Sequence, residues 1–253
     1  MKSIGIVVAM KEEKEAIKKI MNNIIIEEKY NLKFEKGTID NINCILVESG
    51  VGKVNAARTT QVLIDKYNVD ELINVGAAGA ISNALEIGDI LIAKHVVQHD
   101  FDITAFGHKK GYISNVGDII KCDNNILNRF KELFNKNNLK FNIKIGIVAS
   151  GDIFCTDENM KGKINTKFDA DVVDMECASI AQVAYLDDIP FISIRCISDI
   201  PNGDNASTFD DNLELASERC AEILKKYCEY FHIWFCNFFK NTWFIRRFVI
   251  KYI

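Results

Sequence analysis

The chain has 253 residues, 48% hydrophobic and 26% charged, a globular mixture long enough for one large core. Its formal net charge of -4 leaves no general basic footprint for nucleic acid. The N-terminal stretch lacks the long apolar run and cleavage site of a signal peptide, and none of the 8 cysteines forms a C-x-x-C pair, which points to buried, reduced thiols in a cytoplasmic protein. The 4 histidines have no zinc-like spacing, so His99-Asp100 beside Asp102 reads as a structural pair at a strand end, and no metal or cofactor is expected.

Residues 3–9 predict a first strand, followed by a helix from Lys11 to Met21. Its run of Lys11, Glu12, Glu13, Lys14 and Glu15 reads mostly as a solvated face. The first turn follows the strand directly, so Glu13 can point into a crevice. Three short strands follow at Ile24–Lys29, Leu32–Lys36 and Cys44–Glu48, then Ser49-Gly50-Val51-Gly52-Lys53 and a helix from Val54 to Tyr67. A phosphate loop is excluded, because Val47 stands where it needs Gly and Val54 where it needs Ser or Thr. What survives is a tight turn whose backbone can approach a ligand.

Leu72–Val75 predicts a buried strand ending in a turn of small residues, Gly76-Ala77-Ala78-Gly79-Ala80. This segment lacks a full G-x-G-x-x-G and no clear helix follows it, which excludes a dinucleotide site. Asp89–Val97 is the next strand, and 98–117 is an irregular polar loop long enough to be functional. Asn124–Asn135 is an amphipathic helix, and Ile143–Ala149 a strand ending in Ser150-Gly151-Asp152-Ile153-Phe154-Cys155, whose aromatic either stacks on a base or caps the core. Val172-Val173-Asp174-Met175-Glu176 hands a strand to a helix that runs through Ala184. Its two carboxylates suit either a helix N-terminus or the hydroxyls of a sugar. Phe191–Ile197 is a strand ending at Ser198-Asp199, and the last helix spans Phe209–Phe231.

Strands alternate with helices throughout, no linker marks a domain boundary, and no repeat appears, which predicts one α/β unit with a largely parallel sheet, ligands binding beyond the strand ends. Glu13, Glu176 and Asp199 each follow a strand. Asp199 follows an apolar one, where desolvation raises a carboxyl pKa and suits it to hold or give a proton. Alone, each acid reads as a cap or a surface charge; together with the glycine turns they favour a small-molecule site.

Several stretches, in order, resemble the bacterial 5′-methylthioadenosine/S-adenosylhomocysteine nucleosidases of the purine nucleoside phosphorylase-like superfamily. They are Gly5–Glu13, Ser49–Val54, Asn74–Gly79, His99–Gly107, Ser150–Phe154, Val173–Glu176 and Arg195–Asp199, spread over roughly residues 2–230. The resemblance implies a three-layer α/β/α single domain with a central mixed, mostly parallel sheet, and a homodimer with a shared active site. It implies hydrolysis of an adenine nucleoside by water, with roles in methionine salvage and adenosylhomocysteine removal. In that family pattern Glu13 activates the water, Glu176 holds the ribose hydroxyls, Met175 packs on the sugar, and Asp199 binds the adenine edge and promotes protonation at N7. Phe154 matches the aromatic stacked on adenine, and Cys155 presents backbone groups to the base. Met10, Val51 and Phe209 match the lining of the alkylthio pocket, to which a neighbouring subunit contributes Ile103 and Phe106. Ala77, Gly79 and Ser198 are placed with the substrate-binding residues. Ala77 stands where members often carry Ser, and Ser114 where some carry Pro.

Family chains usually stop near Phe231. Residues 1–231 are thus the expected nucleosidase domain, and 232–253 an extension with both tryptophans, four cationic residues and no acid. Lys240, Arg247 and Lys251 allow a cationic stripe opposite aromatics, so membrane contact is one reading of it; packing on the dimer is another. Rival functions are a phosphorylase, a sister nucleosidase acting on aminodeoxyfutalosine, and a nucleoside-binding or membrane-associated interaction protein. Lys53 and Arg58 alone make a poor phosphate cradle, and binding alone does not require Glu13.

Overall fold

A computed structural model describes residues 2–136, 139–203 and 205–249, with side chains as far as His232. The element order is β1 (Ser3–Val8), α1 (Lys11–Lys18), β2 (Asn22–Lys29), β3 (Leu32–Ile39), β4 (Ile42–Glu48), α2 (Lys53–Tyr67), β5 (Glu71–Ala80), β6 (Ile90–Gln98), β7 (Ile120–Lys121), α3 (Asn124–Lys136), β8 (Ile143–Ser150), α4 (Glu158–Phe168), β9 (Val172–Asp174), α5 (Cys177–Leu186), β10 (Phe191–Asp199) and α6 (Asn205–Val249). Every residue of β5 and of β10 is buried, as strands covered on both faces must be, and this explains why apolar and small side chains dominate them.

The sheet is mixed. Strand β1 pairs in parallel with β4 and β5, and β5 in parallel with β10. Next come β6, antiparallel to β10, then β8 and β9, each parallel to its neighbour. Strand β9 returns to the end of β5, where Gly79 faces Val173 and Ala80 faces Val172 in antiparallel register. Thus β5, β10, β6, β8 and β9 close a ring. The cause is the length of β5: it pairs with β10 from Leu72 to Gly79, with β1 only along its first part, and with β9 at its tip. Strands β3 and β2 extend the sheet as an antiparallel meander beyond β4.

Helices α1 and α3 contact α6, and α2 contacts α5, covering the sheet as two groups in a three-layer α/β/α arrangement. The Gly76–Ala80 segment is strand, not turn. Its small residues give room to buried side chains: a Cβ at Gly76 would lie 2.7 Å from Glu13 Oε1, and one at Gly79 would lie 3.2 Å from Asp199 Oδ2. Helix α4 escaped the sequence reading because its segment is polar and contains Gly162, but Asp157 caps it, accepting from the Met160 N–H at 2.8 Å. Helix α6 begins four residues before the expected start and runs on through 249. Neither Gly nor Pro occurs from 205 onward to stop it. The side chains of the extension beyond His232 lie outside the described residues, and so does any contact they make.

Candidate active site

One cavity of about 280 Å³ gathers residues that follow β1, β8, β9 and β10, together with the last part of β5 and the start of α6. Glu13, Glu176 and Asp199 all line it, so acids separated by up to 186 residues in sequence (199 − 13) meet around one volume.

Glu13 sits in the first turn of α1 and reaches back over the helix start. Its Oε2 accepts from the N–H groups of Ala9 and Met10 at 2.8 and 3.0 Å, while Oε1 accepts from the Ala77 N–H at 3.0 Å. The acid therefore caps its own helix with one oxygen and is tied to β5 by the other. Burial raises its pKa above the usual carboxylate value, against the opposing pull of the Arg195 charge and the three amides.

Glu176 opens α5, and its Oε1 accepts from the Gly52 N–H at 2.8 Å. Gly50 and Gly52 have φ of 82° and 99°, a region that disfavours side chains, so the glycines of this turn let the Gly52 amide face the acid. Burial, followed by the neighbouring charge of Asp174, pushes the Glu176 carboxyl up to about 8. Asp174 itself is a supporting acid. Its Oδ2 accepts from the N–H groups of Glu176 and Cys177 at 3.2 and 2.8 Å and from Arg195, and its Oδ1 accepts from Ser150 Oγ. Arg195 is fully buried and also donates to Asn74 Oδ1. Burial disfavours its charge, but the surrounding carboxylates, Asp174 foremost, hold it protonated above its ordinary range.

Asp199 ends β10. Its Oδ1 accepts from Ser198 Oγ at 2.8 Å and its Oδ2 from Asn205 Nδ2 at 2.6 Å. Burial raises its pKa, and those two bonds limit the rise. Asn205 also donates to the Cys155 carbonyl at 2.8 Å, joining the acid to the segment after β8. Phe154 meets Phe209 edge-on, with ring centroids 5.8 Å apart at 79°. The Cys155 thiol is buried, its pKa pushed up to about 11 by that burial.

Met10, Val51, Ala77, Gly79, Phe154, Cys155, Met175 and Phe209 line the same cavity as the three acids. Ser198 lies one step behind, buried against Asp199. Ile103 and Phe106 do not line the cavity of their own chain; Phe106 is 82% exposed on the outer loop. Sequence reasoning did not single out Ile153, Ala206 or Asp210, which complete the wall, or Asn205 behind it. Asn205, Ala206 and Asp210 fall before or just inside the expected start of the last helix, so its misplaced boundary hid them. Arg195 did leave a signal: a lone guanidinium within an apolar strand must be buried with partners.

Among the described residues no Lys or Arg lines the cavity. Lys53 instead points its Nζ at Asp100, 2.7 Å away. Among the described residues no group of three His, Cys, Asp or Glu side chains is placed to hold a metal ion. The site thus offers carboxyls with raised proton affinity, two aromatics and an apolar wall, which suits proton transfer to a neutral, partly aromatic ligand.

The sequence model of the phosphorylase superfamily matches residues 3–229. The 5′-methylthioadenosine/S-adenosylhomocysteine nucleosidase of Staphylococcus carnosus is 37% identical over 222 residues, 87% of this chain and 96% of the relative. The structure of the nucleosidase of that name from S. pneumoniae, with a transition-state inhibitor, superposes with a TM-score of 0.87 at 32% identity, covering 90% of this chain and 99% of that one. The native futalosine hydrolase of Helicobacter pylori superposes with a TM-score of 0.86 at 32% identity, covering 89% and 97%. A match that spans nearly the whole length of each relative, in sequence and in fold, leaves one assignment: the chain belongs to the phosphorylase superfamily and, within it, to the 5′-methylthioadenosine/S-adenosylhomocysteine nucleosidases.

Proposed function

We propose that the protein hydrolyses the N-glycosidic bond of 5′-methylthioadenosine and S-adenosylhomocysteine, releasing adenine and the 5-thio-substituted ribose. The observation that carries this reading is the meeting of Glu13, Glu176 and Asp199 around one cavity whose lining has no cation. Phosphorolysis would need positive charge where phosphate binds, and the wall offers acids instead.

The chemistry follows from charge. As the bond to adenine breaks, the ribose carbon becomes cationic and the purine takes up negative charge. Asp199, with its raised proton affinity, promotes protonation of the leaving base at N7. Phe154 offers its face to the base, and Met175 packs against the sugar. Glu176 accepts from the ribose hydroxyls through its carboxyl oxygens and so orients the sugar at the reacting carbon. Glu13 holds and deprotonates the attacking water, assisted by a rigid seat of three backbone amides. No step requires a metal or cofactor.

Three further readings go with this one. The protein acts as a homodimer in which the exposed Phe106, with Ile103, completes the alkylthio pocket of the partner. It works in the cytoplasm; among the described residues no helix is long and apolar enough to cross a membrane. Residues 1–231 are the catalytic unit, and 232–253 form an accessory extension for which contact with a membrane surface is the reading to test, by liposome flotation with and without that segment.

The likeness to a futalosine hydrolase supports aminodeoxyfutalosine as a second substrate, since the same acids would serve it. A product assay with methylthioadenosine, adenosylhomocysteine, 5′-deoxyadenosine and aminodeoxyfutalosine, with and without phosphate, decides the matter. Adenine release independent of phosphate is expected; phosphate-dependent formation of ribose 1-phosphate would refute hydrolysis.

A further inference from the structure

Among the described residues the cavity wall carries five carboxylates: Glu13, Asp174, Glu176, Asp199 and Asp210. Four of them have donors. Glu13 has backbone amides, Glu176 the Gly52 N–H, Asp174 the Arg195 guanidinium, and Asp199 the side chains of Ser198 and Asn205. Asp210 differs. It is exposed, and its carboxylate has no hydrogen-bond or ion-pair partner among the described residues. A wall carboxylate without a partner is open to a cation delivered by the ligand.

The place of Asp210 follows from the anchoring of α6. Asn205 fixes the helix start to Asp199 and Cys155, at the end of the cavity where the base belongs. Asp210 lies five residues on, about 7.5 Å along the helix axis. It directly follows Phe209, which meets Phe154 edge-on and lines the apolar part of the wall. Asp210 therefore stands away from the base, beside the region that takes the 5′ substituent. Among the described residues of this chain, no Lys or Arg in the lining competes for it or would hold an anionic tail.

We infer that Asp210 is a selectivity residue for the 5′ substituent, favouring nucleosides whose 5′ thioether chain carries an ammonium group. This rests on the proposed nucleosidase reading for the orientation of the ligand. The ammonium of an adenosylhomocysteine tail meets the condition, and the methyl of methylthioadenosine does not. Among the described residues of this chain the wall offers the tail's own carboxylate no cation, so a plain aminoalkylthio chain is the better match.

The test uses the full-length protein and two isosteric probes that resist hydrolysis, the 5′-(3-aminopropylthio) and 5′-(butylthio) derivatives of 7-deazaadenosine, whose C7 cannot take the leaving-group proton. Calorimetry gives Kd for each with wild type and Asp210→Asn. The ratio of the butyl to the aminopropyl Kd is expected to fall about three- to fivefold in the variant, the effect of losing one partly exposed ion pair. In wild type that ratio shrinks with added salt, and in Asp210→Asn it does so less. An unchanged or rising ratio in Asp210→Asn overturns the inference, as does failure of both probes to bind. Adenine release is scored separately: probes that bind with the expected ratio to a protein that cleaves no nucleoside would leave the selectivity standing and remove the hydrolytic reading.

Discussion

Glu13 Oε1 accepts a hydrogen bond from the Ala77 backbone N–H at 3.0 Å, so the acid of α1 is positioned by the main chain of β5. The family resemblance leads one to expect Ser at position 77. Here its amide, which any residue but proline supplies, provides the contact to the acid. The departure at Ala77 removes a hydroxyl but leaves the seat of Glu13 in place.

Replacing Glu13 by Gln should preserve nucleoside binding and lower kcat by about a hundredfold or more, the usual scale for losing a general base. Steady-state adenine release and direct binding of a non-hydrolysable analogue check the two halves. Turnover near that of wild type would take Glu13 out of the mechanism.

Asn205→Ala should move the basic limb of the kcat/KM profile to higher pH. The bond from Asn205 lowers the pKa of Asp199, which burial has already raised. Without it the acid keeps its proton further up the pH scale. Because activity requires protonated Asp199, the fall in rate then begins at higher pH. A limb that stays in place would mean that another group controls it.

Glu176 makes stability depend on pH in a definite direction. Its carboxyl rises from 4.5 to about 8 on folding, so the native state holds the proton more tightly than the unfolded chain. That contribution is complete below about pH 4.5 and is lost as pH climbs towards about 8. Glu176→Gln removes the dependence. Urea denaturation should show wild type losing more stability than the variant across this window, by at least about 1 kcal/mol. Parallel curves would contradict the assignment.

Glycine substitutions offer a contrast between two sites. A Cβ at Gly76 would press on Glu13 Oε1 and on the Arg195 guanidinium, both buried. Gly76→Ala should cost about 1–3 kcal/mol and impair turnover. Gly162, inside α4, has open space around its added Cβ, so Gly162→Ala should stabilise by up to about 1 kcal/mol. Thermal melts and adenine release on both variants test the pair; equal effects would mean that the packing around Gly76 is looser than described.

Much of this protein was legible in its sequence. Buried strands announce themselves as apolar runs, and β1, β4, β6, β8 and β10 lie where those runs predicted them. The acids at strand ends were visible for the same reason, and the ordered family stretches assigned their roles. Helix α4 and the first turn of α6 were not visible, because their residues are polar and carry little periodicity. The Gly76–Ala80 segment was misread because glycines that usually mark turns serve here to admit Glu13, Arg195 and Asp199 against a strand.

The primary structure alone determined the alternation of strands and helices, the acids that end strands, and the absence of a phosphate loop. Only the tertiary structure decided how those acids are used. Asp174 and Glu176 are two residues apart, and the family resemblance gave a sugar-binding role to Glu176 alone; in the structure both line the cavity, Asp174 bound to buried Arg195 and Glu176 with a raised pKa. The proton affinity of Glu176 depends on burial and on charges that include Arg195 of β10, and those neighbours are set by the closure of the sheet rather than by local sequence.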